Sequence, residues 1–200
     1  MNELEQSLHR IATFFDDRGT SWALVGGFAV SARVEPRFTR DIDLAVAVAD
    51  DVSAEATLRD LMAGGYQLFA TVEQEAVDRL ATARLLDARE PQHENVVDLL
   101  FASSGIEPEI TAEAERLEIL PGLVLPVARL GHLIAVKLLA RDDETRPQDI
   151  ADLRAMLREA TGADIALAET AVELITERGY HRERDLKAAL SDLVEVRKPG

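Results

Sequence analysis

The sequence predicts an α/β fold: a small mixed sheet flanked by helices, followed by a helical C-terminal half. Three observations predict it. Short apolar runs of strand character alternate with helical periodicity up to about residue 125. Glycine and proline breaks separate these runs. Beyond Pro126 only helical periodicity remains. The organisation expected is therefore a core over residues 1–125 and a helical region over 126–200.

Leu4, Leu8, Ile11, Phe14 and Phe15 fall at helical spacing and Gly19 ends the run, which predicts a first helix over 4–18. Trp22 to Val25 is a short apolar strand that stops at Gly26-Gly27, and Phe28 to Val34 reads as a helix up to Pro36. Over Ile42 to Val48 the larger apolar side chains alternate with smaller ones, which predicts a strand. Asp50 and Asp51 are capping residues for a helix that ends at Gly64-Gly65. Tyr66–Ala70 and Ala83–Leu86 are weaker strand candidates, Val96–Ala102 is a strong one, and Ser103–Pro108 reads as loop. The helices expected after Pro126 run over about 129–141, 148–160, 164–178 and 182–194, with breaks at Pro147, Gly162 and Gly179.

Composition sets limits on function. The chain has 200 residues, enough to bury a core, and contains no cysteine, which excludes a disulfide framework, a thiol nucleophile and a cysteine zinc site. The most apolar stretch, Leu130–Ala140, is too short to span a bilayer and contains His132 and Lys137. With no signal peptide evident either, a cytoplasmic protein is the simplest expectation. The net charge of −15 repels phosphate backbones at long range, so a nucleic-acid partner requires a local basic patch. Arg33, Arg37 and Arg40 form the best such patch, and Arg129, His132, Arg141 and Arg146 form a looser one.

Asp41 and Asp43 stand two apart on a predicted strand, so their side chains share a face. Two carboxylates so placed repel unless a cation lies between them. Hard oxygen ligands suit Mg²⁺, and a pair of such ions can activate an attacking hydroxyl and stabilise a leaving pyrophosphate. Gly26 and Gly27 lie between a strand and a helix, where a backbone can approach a ligand closely and a helix N-terminus favours anions. A triphosphate suits that place. An Asp-x-Asp alone, or a Gly-Gly alone, is more often a solvated strand end or a turn. The two together, with thirteen residues between Gly27 and Asp41, are far more specific.

These residues, Val25-Gly26-Gly27-Phe28-Ala29 with Arg37-x-Thr39-x-Asp41-Ile42-Asp43-Leu44, resemble the DNA polymerase beta-like nucleotidyltransferase superfamily and within it the AbiEii/MenT-type toxin branch. The resemblance is specific over residues 22–48 and elsewhere rests on general layout. It implies a nucleotidyltransferase fold and transfer of a nucleoside monophosphate from an NTP to an acceptor hydroxyl. Gly26 and Gly27 would hold the triphosphate, and Asp41 and Asp43 would hold two Mg²⁺. The family places a third carboxylate on a neighbouring strand, and Asp98 in Val96-Val97-Asp98-Leu99-Leu100 is the best match, ahead of Asp87 and Glu94. A lone carboxylate in so apolar a run needs a charged or hydrogen-bonding partner if buried. By the resemblance, a metal site shared with Asp41 and Asp43 supplies that partner, and Asp98 completes the metal site and helps deprotonate the acceptor hydroxyl; the alternative is an edge strand with Asp98 facing water. Lys137 sits beside Leu130, Leu133 and Ala140 on a helical wheel and reads as the family's phosphate-gripping lysine or as a snorkelling side chain. Asp149 reads equally as a first-turn cap or as a site residue, with Asp152 a weaker candidate. Arg37 and Thr39 are placed to orient the metal loop, the triphosphate or an RNA phosphate.

By the same resemblance the acceptor is RNA, first of all the 3′ end of tRNA, with a separate antitoxin protein as neutralising partner. Two other readings stand beside it: a nucleotidyltransferase acting on a small cationic molecule such as an aminoglycoside, and a non-catalytic nucleotide-binding protein.

Overall fold

The computed structural model describes residues 3–34, 39, 41–89, 95–142 and 147–197. The elements in chain order are α1 (Glu3–Arg18), β1 (Trp22–Val25), α2 (Gly26–Arg33), β2 (Ile42–Val46), α3 (Asp51–Ala63), β3 (Tyr66–Gln74), β4 (Arg79–Asp87), β5 (Val96–Leu100), α4 (Glu107–Ala112), β6 (Glu115–Leu120) and β7 (Leu123–Val127). The chain then continues as α5 (Leu130–Ala140), α6 (Pro147–Glu159), α7 (Gly162–Glu177) and α8 (Leu186–Arg197). The seven strands form one mixed sheet in the order β3-β4-β5-β2-β1-β7-β6.

Local chemistry accounts for the element ends. Asp50 caps α3 by accepting from the Ser53 backbone N–H at 2.8 Å. Thr161 and Asp164 close a reciprocal capping box at the start of α7. The hairpin of β6 and β7 turns at Pro121-Gly122, with Gly122 at φ +80, a conformation that favours glycine. Arg182 and Glu183, with φ of 53 and 59, hold the chain in left-handed backbone, so α8 starts only at Leu186 rather than at the expected 182.

The two faces of the sheet differ. Ile42, Leu44 and Val46 on β2, Ala83 and Leu85 on β4, and Val97 and Leu99 on β5 are all fully buried. With Leu8, Ile11 and Phe15 of α1 and Leu58 and Leu61 of α3, they belong to the apolar core. Strand alternation sends Asp43, Arg84 and Asp98 to the opposite face. The C-terminal helices add their own apolar residues, among them Leu138, Leu153, Met156 and Ile175, to the same core. No described helix is long and apolar enough to cross a membrane.

Gly131 lets α5 and α7 touch. A Cβ there would meet the Asp164 carbonyl oxygen at 2.6 Å and the Leu167 Cβ at 2.7 Å. Gly131→Ala is therefore expected to lower the melting temperature despite alanine's better helix propensity. Overpacking costs about 1–3 kcal/mol, against roughly 1 kcal/mol gained. Thermal unfolding followed by circular dichroism checks this.

Candidate active site

Asp43 and Asp98, both singled out in the sequence, lie in one row across the middle of the sheet. In the antiparallel pairing of β1 with β2, Val25 lies opposite Asp43. In the parallel pairing of β2 with β5, Asp43 lies opposite Asp98. In the antiparallel pairing of β4 with β5, Asp98 lies opposite Arg84. Four strands thus carry Val25, Asp43, Asp98 and Arg84 in register. Asp41 precedes β2 at this end of the sheet and is exposed.

Gly26 fits this row for a steric reason. Its φ is +60, and a Cβ built on it would lie 1.9 Å from Oδ2 of Asp43. The space a side chain would take is filled by that carboxylate. The Gly27 backbone N–H, in the first turn of α2, donates to Asp43. The glycine pair therefore frames Asp43 directly, a role beyond the phosphate contact expected of it.

Asp43 is crowded with like charge. Burial, then Asp98, then Asp41 push its carboxyl up from 3.8 to about 7, while Lys137 and the Gly27 N–H act in the opposite direction. A buried carboxylate raised in this way beside a second, exposed one suits a hard divalent cation, and Asp41 and Asp43 are the carboxylates that would hold it. Asp98 stands apart. Both its oxygens are taken by Arg84, with Nε donating to Oδ1 at 2.8 Å and Nη2 to Oδ2 at 2.7 Å. Consistent with that grip, no cluster of three acidic or histidine side chains able to hold a metal ion converges among the described residues.

Asp98 is 8% exposed and lies on a strand between β4 and β2, so it is neither on an edge nor facing water. The partner that makes its burial tolerable is Arg84. Sequence reasoning missed Arg84, although the signal was there: a lone charge inside the apolar run Ala83–Leu86, the same argument that singled out Asp98.

Lys137, on α5, donates to Asp149 Oδ1 at 3.0 Å and pairs with Asp152 Oδ2 at 3.2 Å. Asp149 and Asp152 are 6% and 3% exposed, and α6 carries both. The ammonium does not snorkel to solvent; it bridges two buried carboxylates and lies near enough to Asp43 to lower its pKa. Oδ2 of Asp149 is buried without a hydrogen-bond partner. Asp152 is thus as closely tied to Lys137 as Asp149 is. Thr39 lies half-buried just before Asp41, and Arg37 lies outside the described residues, as do Arg40, Glu94 and Arg146.

Among the described residues of the two basic patches, Arg33, Arg129 and His132 are drawn into the fold. Arg33 donates from Nε to the Ala128 carbonyl at 2.5 Å and pairs through Nη1 with Glu115 at 2.8 Å, tying α2 to the β6–β7 hairpin. Arg129 is held by Glu113 at 2.9 Å, and His132 is only 2% exposed. Asp87 is fully buried on the other face of the sheet, paired with Arg10 and Arg89, so it takes no part in this row.

Comparison with solved structures gives the fold. The chain is similar to the antibiotic-resistance factor ANT(2″)-Ia, with a TM-score of 0.56 and 18% identity, over 92% of this chain and 93% of that one. It is also similar to an antigenic nucleotidyltransferase-like protein from Paracoccidioides brasiliensis, with a TM-score of 0.53 and 20% identity, over 94% and 92% of the two chains. No curated protein matches the sequence. The family model described as nucleotidyl transferase AbiEii toxin, type IV toxin–antitoxin system, matches residues 12–198, so the row of carboxylates framed by Gly26 and Gly27 belongs to a member of the AbiEii nucleotidyltransferase toxin family.

Proposed function

We propose that this protein transfers a nucleoside monophosphate from an NTP to the terminal hydroxyl of an RNA, with the 3′ end of tRNA as first choice, in a reaction that depends on Mg²⁺. The observation that carries this reading is the in-register row of Asp43, Asp98 and Arg84 beside Gly26, with Lys137 close by. Asp41 and Asp43 are the residues to hold two Mg²⁺. Bound there, the ions supply charge neutralisation for the triphosphate and acidify the acceptor hydroxyl. Asp98, aimed by the two-point grip of Arg84, takes the acceptor proton. Lys137, steadied by Asp149 and Asp152, reaches the phosphates. Gly27 presents backbone N–H at the start of α2, and Thr39 and Arg37 flank the same end of β2. Rate enhancement then comes from positioning and charge compensation. A cytoplasmic location and a separate antitoxin protein complete the proposal, in keeping with the family.

A second acceptor class is a small cationic molecule. The charge of −15 and the fold shared with an antibiotic-resistance factor favour it. One assay separates the two. Purified protein with Mg²⁺ meets each α-labelled NTP in turn, with total tRNA or with an aminoglycoside, and Asp43→Ala is the control. Label entering tRNA with the wild type alone supports the first reading. Transfer to the aminoglycoside only overturns it in favour of the second.

Gly26→Ala tests the frame around Asp43. A methyl group must displace the carboxylate and adopt a left-handed backbone, so transfer is expected to fall by about 10²-fold. A rate within threefold of wild type would remove Gly26 from the site.

A further inference from the structure

The register of the sheet sets Asp98 between two partners. Across the parallel pair of β2 and β5 stands Asp43, and across the antiparallel pair of β4 and β5 stands Arg84. Neighbouring strands lie about 4.8 Å apart, so Asp98 has the reach to share an ion with Asp43 or to pair with Arg84. It is turned to Arg84. Nε donates to Oδ1 at 2.8 Å and Nη2 donates to Oδ2 at 2.7 Å, the two-point geometry that fixes the plane of a carboxylate. Arg84 makes this contact from an exposed position on β4, and Asp98 receives it in a buried one on β5. Asp43 still feels Asp98 as like charge, second only to burial in raising its carboxyl.

The guanidinium thus does for Asp98 what a cation would do. The bonds to Asp98 hold Arg84 in its charged form, and the charges of Asp41 and Asp43 add to the effect. Lys137 is another cation near Asp43, but Asp149 and Asp152 share its ammonium. Affinity for a hard divalent cation grows with the charge of the ligands it meets. Mg²⁺ also demands near-ideal octahedral geometry at about 2.0–2.1 Å, and Asp98 cannot turn to meet that demand while it keeps both bonds to Arg84. Each of its oxygens keeps a second lone pair, so accepting a proton from a hydroxyl remains open to it. Asp41 and Asp43 are then left for the metal, and Mg²⁺ held by so few carboxylates completes its shell with water and phosphate oxygens.

We infer that Arg84 holds Asp98 out of the metal shell, so that the protein without nucleotide binds divalent cations weakly. Arg84 is thereby a positioning residue: it divides the three carboxylates, leaving Asp41 and Asp43 for the metal and Asp98 for the acceptor proton. The inference rests on the reading that Asp41 and Asp43 hold metal.

The test titrates nucleotide-free protein with Mn²⁺ and counts the free ion by electron paramagnetic resonance, for wild type, Arg84→Gln and Arg84→Gln/Asp98→Asn. The buffer holds about 0.5 M KCl, so that a changed charge near the site counts for little by itself. Arg84→Gln is expected to bind Mn²⁺ about tenfold more tightly than wild type, because the released carboxylate becomes a further ligand. The double variant is expected to return to wild-type affinity. A merely structural arginine would give the opposite sign, since a disordered site binds metal less well. Melting followed by circular dichroism controls for folding. Arg84→Gln strips a buried carboxylate of its partner and is expected to melt lower without metal, with Mn²⁺ restoring it. If Arg84→Gln does not fold, Arg84→Lys takes its place: lysine keeps the charge without the planar fork, and tighter Mn²⁺ binding than wild type is again expected. Mn²⁺ bound no more tightly by the folded variant than by wild type, or a gain that survives Asp98→Asn, overturns the inference. Mg²⁺-dependent labelling by wild type, lost in Asp43→Ala, then leaves the metal reading standing. A gain in Arg84→Gln that survives Asp43→Asn puts the cation elsewhere and overturns the inference and the metal reading together.

Discussion

Asp43→Asn is expected to remove nucleotidyl transfer, by on the order of 10³-fold, and at the same time to make the metal-free protein harder to melt above pH 7. The two effects share a cause. Burial and the neighbouring carboxylates of Asp98 and Asp41 push the Asp43 carboxyl to about 7, against 3.8 ordinarily. Between those values the folded protein keeps a proton that the unfolded chain has lost. Stability therefore declines as pH rises through that window, and the full penalty is present above it. Asparagine carries no charge and escapes the penalty, on the order of 2 kcal/mol once the partial exposure of the group is allowed for. Melting curves at pH 5 and pH 8, with and without Mg²⁺, read this directly. The gain should be larger at pH 8, and Mg²⁺ should raise the melting temperature of wild type and not of the variant. A variant less stable than wild type at pH 8 would mean that Asp43 chiefly serves as a structural acceptor for the Gly27 N–H.

Lys137→Met should be the more damaging change to the fold. Its ammonium is shared by Asp149 and Asp152, both nearly fully buried. Deleting one partner of a buried ion pair costs about 3–5 kcal/mol, because the remaining charge is left in a poor solvent. Loss of activity in this variant alone would not separate a collapsed site from a lost phosphate contact. The triple variant Lys137→Met/Asp149→Asn/Asp152→Asn does so. Neutral amides in place of the carboxylates should recover most of the urea midpoint. Transfer should remain at least about 10²-fold down if Lys137 grips phosphate. Recovery of both stability and activity would make the cluster purely structural.

The parts of the site legible in the sequence are those fixed over short range. Asp41 and Asp43 are neighbours because only one residue separates them, although Asp41 lies just before β2 rather than on it. Gly26 is a glycine because the turn into α2 demands it, although the sequence could not reveal that the space of its missing side chain belongs to Asp43. Asp98 was legible as a charge that needed a partner, but not the partner itself, since Arg84 becomes its neighbour only through the register of β4 and β5. Lys137 and Asp152 were visible singly, while their contact depends on how α5 meets α6. Among the elements, the β6–β7 hairpin lies outside the expected strands, although Pro121-Gly122 between two apolar runs marks a turn. Its partly exposed strands carry weak alternation. The short α4 begins inside the expected Ser103–Pro108 loop, its start at Glu107-Pro108 being a helix N-terminus signal.

The sheet order also bears on when during synthesis this protein can become active. β1 carries the turn into Gly26 and Gly27, and it is bordered by β2 on one side and by β7 on the other. Leu24 is paired with Val127, and its carbonyl accepts from the Ala128 N–H at 3.0 Å. A ribosome-bound chain that has already exposed Asp41, Asp43 and Asp98 therefore still has an open edge beside β1, and it still lacks Lys137. Pairings so distant in sequence form late and slowly. The row of β1, β2, β5 and Lys137 is thus incomplete until more than two-thirds of these 200 residues have emerged.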